Sequence, residues 1–184
     1  MDAAVRGGFR IIEFTLTIPG AFDLISEFSK RDNVVVGAGT VLTVQEAREA
    51  HLRGASFLVS PVMDEKVIRE GLAMGMTLMP GTHTPTEMYE AHRLGAQLQK
   101  LFPAPAGGPD YVRAVLAPMP FLRIVPTNGI DLNNVADYFR AGVFAVGFVK
   151  DLFAADDIQS GRFDRIEEKA RILKAAALKA ERPK

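Results

Sequence analysis

The chain has 184 residues, with 22 basic side chains balancing 22 acidic ones. That length suits one domain with a full core, and the zero net charge gives no field to draw nucleic acid or an anionic membrane. Zero cysteines exclude a disulfide framework, a thiol nucleophile and thiolate metal sites, and the three histidines lack metal-ligand spacing. The sequence shows no apolar run of the ~20 residues that span a bilayer and no signal-peptide core at "MDAAVRGG". A soluble, cytoplasmic protein that binds neither nucleic acid nor membrane is the expectation.

In chain order, "MDAAVRGG" reads as the tail of a helix, followed by an apolar strand near 10–16. Further strands are expected near 34–40, 57–61, 77–81, 98–103, 122–127 and 145–149. Five of the seven strands, the first included, follow a glycine that closes a helical pattern, as in "LRGASFLVSP", "AMGMTLMPG" and "RAGVFAVGFV". Glycine takes the left-handed conformation at a helix end cheaply, after which the chain enters a strand. The intervening helices carry capping signals. "TVQE" (Thr43 to Glu46) and "TPTE" (Thr84 to Glu87) have capping-box spacing, the second with Pro85 at the first helical position. Asp131 is another candidate cap, a helix is expected from near Asp110, and "FDRIEEKARILKAAALKA" is a C-terminal helix.

Strand and helix alternate about seven times at a spacing of roughly 20 to 25 residues, and near-continuous apolar strands mean a parallel sheet covered by helices. An open doubly wound sheet and a closed TIM-type (β/α)8 barrel both fit. The even repeats favour the barrel, as do the polar or small residues at the strand ends: Glu13, Thr15 and Thr17, Gly39 and Thr40, Ser60, Gly81, Lys100, Thr127 and Gly147. Barrel enzymes build their active sites at that face. The strand count stops at seven, so the expectation is a single barrel domain over 1–184, lacking its first strand and most of its first helix.

"LQKLFPA" places Lys100 inside an apolar strand, where burial favours the neutral amine. Glu13, Thr15 and Thr17 share one face of "IIEFTLT". If Lys100 and Glu13 both point into a small dry cavity, the amine loses basicity and becomes a nucleophile toward ketones. The other reading is a buried ion pair that holds the fold together. Desolvation offsets most of the attraction in such pairs, which favours chemistry. His83, in "GTHTPTE", either touches substrate or supports the next helix cap, the latter being favoured; His51 and His92 read as surface residues of helices.

"EFTL", "GAGTVL", "SPVMDEKVI", "PGTHTPTE", "KLFPA" and "PTNGI", in this order, resemble the 2-keto-3-deoxy-6-phosphogluconate / 4-hydroxy-2-oxoglutarate aldolase family, over nearly the whole chain from about Val5. The resemblance implies a metal-free class I aldolase, needing no cofactor, that cleaves a 4-hydroxy-2-oxo acid to pyruvate and an aldehyde. It also implies a (β/α)8 barrel assembled as a homotrimer. Lys100 matches the Schiff-base lysine and Glu13 the proton-relaying carboxylate. Thr40 matches a residue that holds the pyruvate carboxylate. Pro80 and Phe102 match cavity-lining residues, and Thr127 and Gly129 the loop facing the distal part of the substrate.

Departures from the family pattern are specific. Thr17 stands where the family has an arginine that binds the substrate carboxylate, and a hydroxyl cannot make the bidentate, charge-assisted pair of a guanidinium. Asn128, Phe148 and Val149 replace two glycines and a serine of the phosphate loops, with Gly147 retained. Asp151 falls near a helix start, where a carboxylate competes with phosphate for the same donors. A non-phosphorylated or differently anchored acid is therefore favoured. Two alternatives stand beside the aldolase: a phosphate-sugar isomerase or epimerase on the same barrel, and a catalytically idle homologue serving as a binding or assembly subunit.

Overall fold

A computed structural model describes residues 1–180. The elements are α1 (Asp2–Arg6), β1 (Ile11–Thr15), α2 (Ala21–Phe28), β2 (Val35–Gly39), α3 (Val44–Leu52), β3 (Phe57–Val59), α4 (Glu65–Ala73), β4 (Thr77–Met79) and β5 (Gly81–Thr82). They continue with α5 (Pro85–Arg93), β6 (Gln99–Leu101), α6 (Gly108–Leu116), β7 (Ile124–Pro126), α7 (Val135–Arg140), α8 (Ala155–Gln159) and α9 (Phe163–Lys179). The chain is an α/β protein with parallel strands, and it divides into two compact units. One comprises Arg10–Lys100; the other comprises Met1–Phe9 and the chain from Leu101 onward.

In the Arg10–Lys100 unit, β1, β2, β3 and β4 pair in sequence order, all parallel. Strand alternation sorts their side chains into two layers. Ile12, Phe14, Val36, Ala38, Leu58 and Leu78 are buried on one face, and Ile25 and Phe28 of α2, Ala47 and Ala50 of α3, and Val67 and Ile68 of α4 are buried as well. Phe14 and Phe28 pack edge to face at 5.1 Å, and the Arg31 guanidinium caps the Phe28 ring at 3.6 Å. Each buried Val, Leu, Ile or Phe among these contributes about 1.5–3 kcal/mol through burial. Gly71 lets α4 approach the sheet, since a Cβ there would lie 2.7 Å from a Leu78 methyl. The opposite face carries Ile11, Glu13 and Thr15 beside Val35, Gly37 and Gly39, then Phe57 and Val59, then Thr77 and Met79.

Both capping boxes form: Thr43 and Thr84 each accept from the N–H three residues on, and Glu46 and Glu87 reach back to the cap N–H groups. Asp64 caps α4 in the same way, without the reciprocal glutamate.

In the other unit, α1 lies on α9 through Ala3, Ala4, Ile166, Ala170 and Leu173, with Leu152 and the partly buried Phe9 and Phe148 joining them. A Cβ on Gly7 would sit 2.3 Å from the Ala170 Cβ, so the glycine permits this close approach. Arg6 pairs with Glu167 at 2.7 Å. Three sequence expectations change here. The segment near 145–149 forms a single parallel bridge, Thr127 to Gly147, and not a strand. Asp131 accepts from the N–H groups of Asn133 and Asn134, so it caps the turn before α7, whose own cap position is Asn134. Helix α6 starts at Gly108, two residues before the expected Asp110. Among the described residues no helix is long and apolar enough to cross a membrane.

Candidate active site

Glu13 is the central residue of β1 and points away from the buried pair Ile12 and Phe14. Its Cα is in register with Gly37, yet the carboxylate leans along the strand and rests over Gly39. A Cβ on Gly37 would meet the Phe57 ring at 2.3–2.5 Å, so that ring fills the space directly across from Glu13.

Lys100 is set by its neighbours. Gln99 and Leu101 are wholly buried, and the Gln99 amide donates to the Ala96 carbonyl at 3.1 Å. Alternation then turns Lys100 to the other face of β6. Its N–H donates to the Pro80 carbonyl at 3.0 Å, and its own carbonyl accepts from the Thr82 hydroxyl at 3.0 Å. The backbone under the amine is thus pinned on both sides.

Both groups are half-buried and electrostatically displaced. Desolvation lowers the Lys100 pKa below the ordinary lysine value, and the Glu13 charge opposes this. Desolvation raises the Glu13 pKa above the ordinary carboxylate value, and the Lys100 charge opposes that. Burial is the larger cause for both, so each is pushed toward its neutral form, while each partner's charge favours the ionised one. A less basic amine and a more basic carboxyl that sense each other's charge have the properties of a nucleophile with an acid–base partner.

The remaining residues of this unit are placed as follows. Thr40 follows β2 with φ +60°, an outlier for a β-branched residue. Pro80 is buried between β4 and β5. Thr17 lies beyond the end of β1, is exposed, and donates to the Thr15 hydroxyl at 3.3 Å. It borders an open cavity of about 410 Å³, also lined by Gly20, Phe22, Asp23 and Arg53, that includes neither Glu13 nor Lys100. Arg53 is held there by Glu49 at 2.7 Å and Asp23 at 3.0 Å. His83 is exposed and its N–H donates to the capping carboxylate of Glu87, the supporting role expected for it. His51 and His92 are exposed on helices.

In the other unit, the Thr127 N–H donates to the Leu101 carbonyl at 3.1 Å, which aligns the end of β7 with the end of β6. The Thr127 hydroxyl is buried without a hydrogen-bond partner among the described residues. A Cβ on Gly147 would lie 2.5 Å from its methyl group. Asn128 holds φ +62° and Gly129 φ +111°, forming a left-handed turn. Phe102 is half-buried. Phe148 turns inward onto Phe9, edge to face at 6.0 Å, while Val149 and Lys150 are exposed.

Sequence reasoning did not anticipate the Gln99 anchor, the Thr82 hydroxyl under Lys100 or the Phe57 ring over Gly37. Only the glycines of "GAG", spaced to share one strand face, signalled the room left beside Glu13.

A parallel α/β scaffold with a desolvated amine and carboxyl on its strands carries the groups that Schiff-base chemistry uses. The chain belongs to the KDPG and KHG aldolase family, whose model matches residues 1–169. It is 38% identical to a 2-dehydro-3-deoxy-phosphogluconate aldolase of Treponema pallidum (strain Nichols), over 89% of this chain and 79% of that protein. It is 36% identical to a KHG/KDPG aldolase of Escherichia coli (strain K12), over 92% of this chain and 80% of the relative. A crystal structure of KDPG aldolase from Legionella pneumophila, with pyruvate captured as a covalent carbinolamine, superposes with a TM-score of 0.85 at 27% identity, covering 92% of this chain and 84% of that one. Members of this family are aldolases, that is, lyases.

Proposed function

We propose that this protein is a class I aldolase that cleaves a 4-hydroxy-2-oxo acid to pyruvate and an aldehyde, with Lys100 as nucleophile and Glu13 as proton carrier. The observation that carries this reading is the desolvated Lys100 amine, lowered in pKa and sensing the Glu13 charge. The relatives supply the substrate class: KDPG-type and KHG-type acids are what their names describe.

Neutral Nζ of Lys100 adds to the C2 ketone. The resulting carbinolamine loses water to give an iminium, which draws electrons from the C3–C4 bond. Glu13 takes the proton of the C4 hydroxyl, the C3–C4 electron pair enters the enamine, and the aldehyde departs. Glu13 then returns its proton to C3. Water adds at C2, releasing pyruvate and restoring the amine. A carboxyl raised in pKa by burial suits this exchange, since it is a stronger base than an ordinary carboxylate and can give back the proton it takes.

Thr40 with adjacent backbone N–H groups would hold the pyruvate carboxylate, and Pro80 and Phe102 would line the cavity. Thr127, Asn128, Gly129, Gly147 and Val149 would face the aldehyde half. Thr17, in the position of the family's arginine, makes for weaker carboxylate binding. The likeness to family members supports a TIM-type barrel; one domain, a homotrimer and a cytoplasmic location are proposed from the sequence and its resemblance to the family.

The test is borohydride reduction with pyruvate. A stable mass increase on the Lys100 peptide is expected, and no increase on folded protein would favour the idle homologue or the isomerase. Lys100→Ala should abolish cleavage. Glu13→Gln should leave the adduct partly intact while slowing turnover severely. Equal, mild losses from both would contradict the assigned roles.

A further inference from the structure

We propose that Gly39 is a positioning residue for the Glu13 carboxylate: its missing side chain is the seat in which that carboxylate rests. The inference builds on the reading of Glu13 as proton carrier.

A Cβ built on Gly39 would lie 1.6 Å from Oε1 of Glu13, 2.4 Å from Cδ and 2.9 Å from Cγ. No rotation about the terminal bond relieves three such contacts, so the whole carboxylate must move. The site directly across the strands is closed, because the Phe57 ring fills the gap over Gly37. The two glycines of β2 thus form a trough shared by two occupants, the ring over one half and the carboxylate over the other.

The demand at position 39 is for space alone. Gly39 ends a regular strand, its φ lies outside the left-handed range, and its carbonyl accepts the Leu16 N–H at 2.8 Å as an ordinary ladder bond. Alanine therefore suits the backbone and acts only through the clash with Glu13.

The experiment compares wild type, Gly39→Ala, Glu13→Asp and Gly39→Ala/Glu13→Asp. Borohydride trapping of pyruvate reads Lys100, steady-state cleavage reads turnover, and carbon-13 NMR titration of the Glu13 carboxyl reads its surroundings directly. A displacement of about 1 Å can cost roughly 100-fold in rate. Gly39→Ala is expected to lower kcat by about that factor, keep pyruvate trapping within about threefold of wild type, and move the Glu13 titration. Glu13→Asp, which withdraws the carboxylate, should cost much less in the Gly39→Ala background than in wild type. Unchanged kcat with an unchanged Glu13 titration overturns the proposal, as do additive effects of the two substitutions. Should Gly39→Ala not fold, Gly39→Ala/Glu13→Ala must recover the fold, since it clears the clash; failure of that variant also overturns the proposal. If wild type forms no pyruvate adduct but Gly39→Ala still moves the Glu13 titration, the catalytic reading fails while the seat stands.

Discussion

Lys100 and Glu13 are each held in surroundings that disfavour their charge, and that has a measurable pH signature. A lysine whose folded pKa is lowered destabilises the fold while protonated, and the penalty fades as pH rises through the folded pKa toward the ordinary value of 10.5. Lys100→Met should therefore be more stable than wild type at neutral pH, with the difference shrinking at alkaline pH. For Glu13 the sign reverses along the pH axis: its raised pKa destabilises the ionised form, so Glu13→Gln gains stability at neutral pH and loses that gain as pH falls toward 4.5. Urea melts across pH check both. The two groups are also coupled. Removing the Glu13 charge removes what holds the Lys100 pKa up, so the pH profile of pyruvate adduct formation should move to lower pH in Glu13→Gln. An unmoved profile would deny the coupling. Thr40 belongs to the same scale. Its left-handed backbone costs about 1–2 kcal/mol, and Thr40→Gly relieves this at an entropic cost of about 0.5–1 kcal/mol. Stability should stay level or rise slightly while KM for the 2-oxo acid increases. Sequence named Lys100, Glu13 and Thr40, but the conformation of Thr40 follows from the turn that ends β2, which no residue type announces.

Helices α3 and α5 start where their capping boxes say. Thr43 and Thr84 make reciprocal pairs with Glu46 and Glu87, and Thr43→Ala should cost about 1 kcal/mol in denaturant melts without changing pyruvate trapping. These signals were legible because a capping box is closed by residues three apart. Strand length is a different matter. The segment near 145–149 is as apolar as the others, yet it makes only one bridge, because pairing depends on which neighbour presents free N–H and C=O groups. The inward turn of Phe148 onto Phe9 likewise joins residues far apart in sequence. It turns one member of "GFVK" into core and leaves Val149 exposed.

At the scale of the whole molecule, the open question is the far end of the substrate. The family pattern offers glycines and a serine to a phosphate, whereas this chain has Asn128 at φ +62° and an exposed Val149. Backbone N–H groups and a hydroxyl bind an anion through charge-assisted bonds that a valine cannot replace. Combining Asn128→Gly with Val149→Ser should raise kcat/KM for a substrate bearing a terminal phosphate by about tenfold, or ~1.4 kcal/mol. It should do little for an unphosphorylated one. Equal change for both substrates would mean that these positions do not read the distal group.

The sequence by itself determined the alternation of strands and helices, the starts of α3 and α5, and the family. Each follows from local periodicity, short-range capping or motif order. Only the tertiary structure decided that the Glu13 carboxylate leans onto Gly39, that Phe57 occupies the neighbouring gap, and that burial outweighs the opposite charge at both ionisable groups. Those outcomes depend on volumes and dielectric surroundings assembled from separate strands, and no stretch of chain encodes them alone.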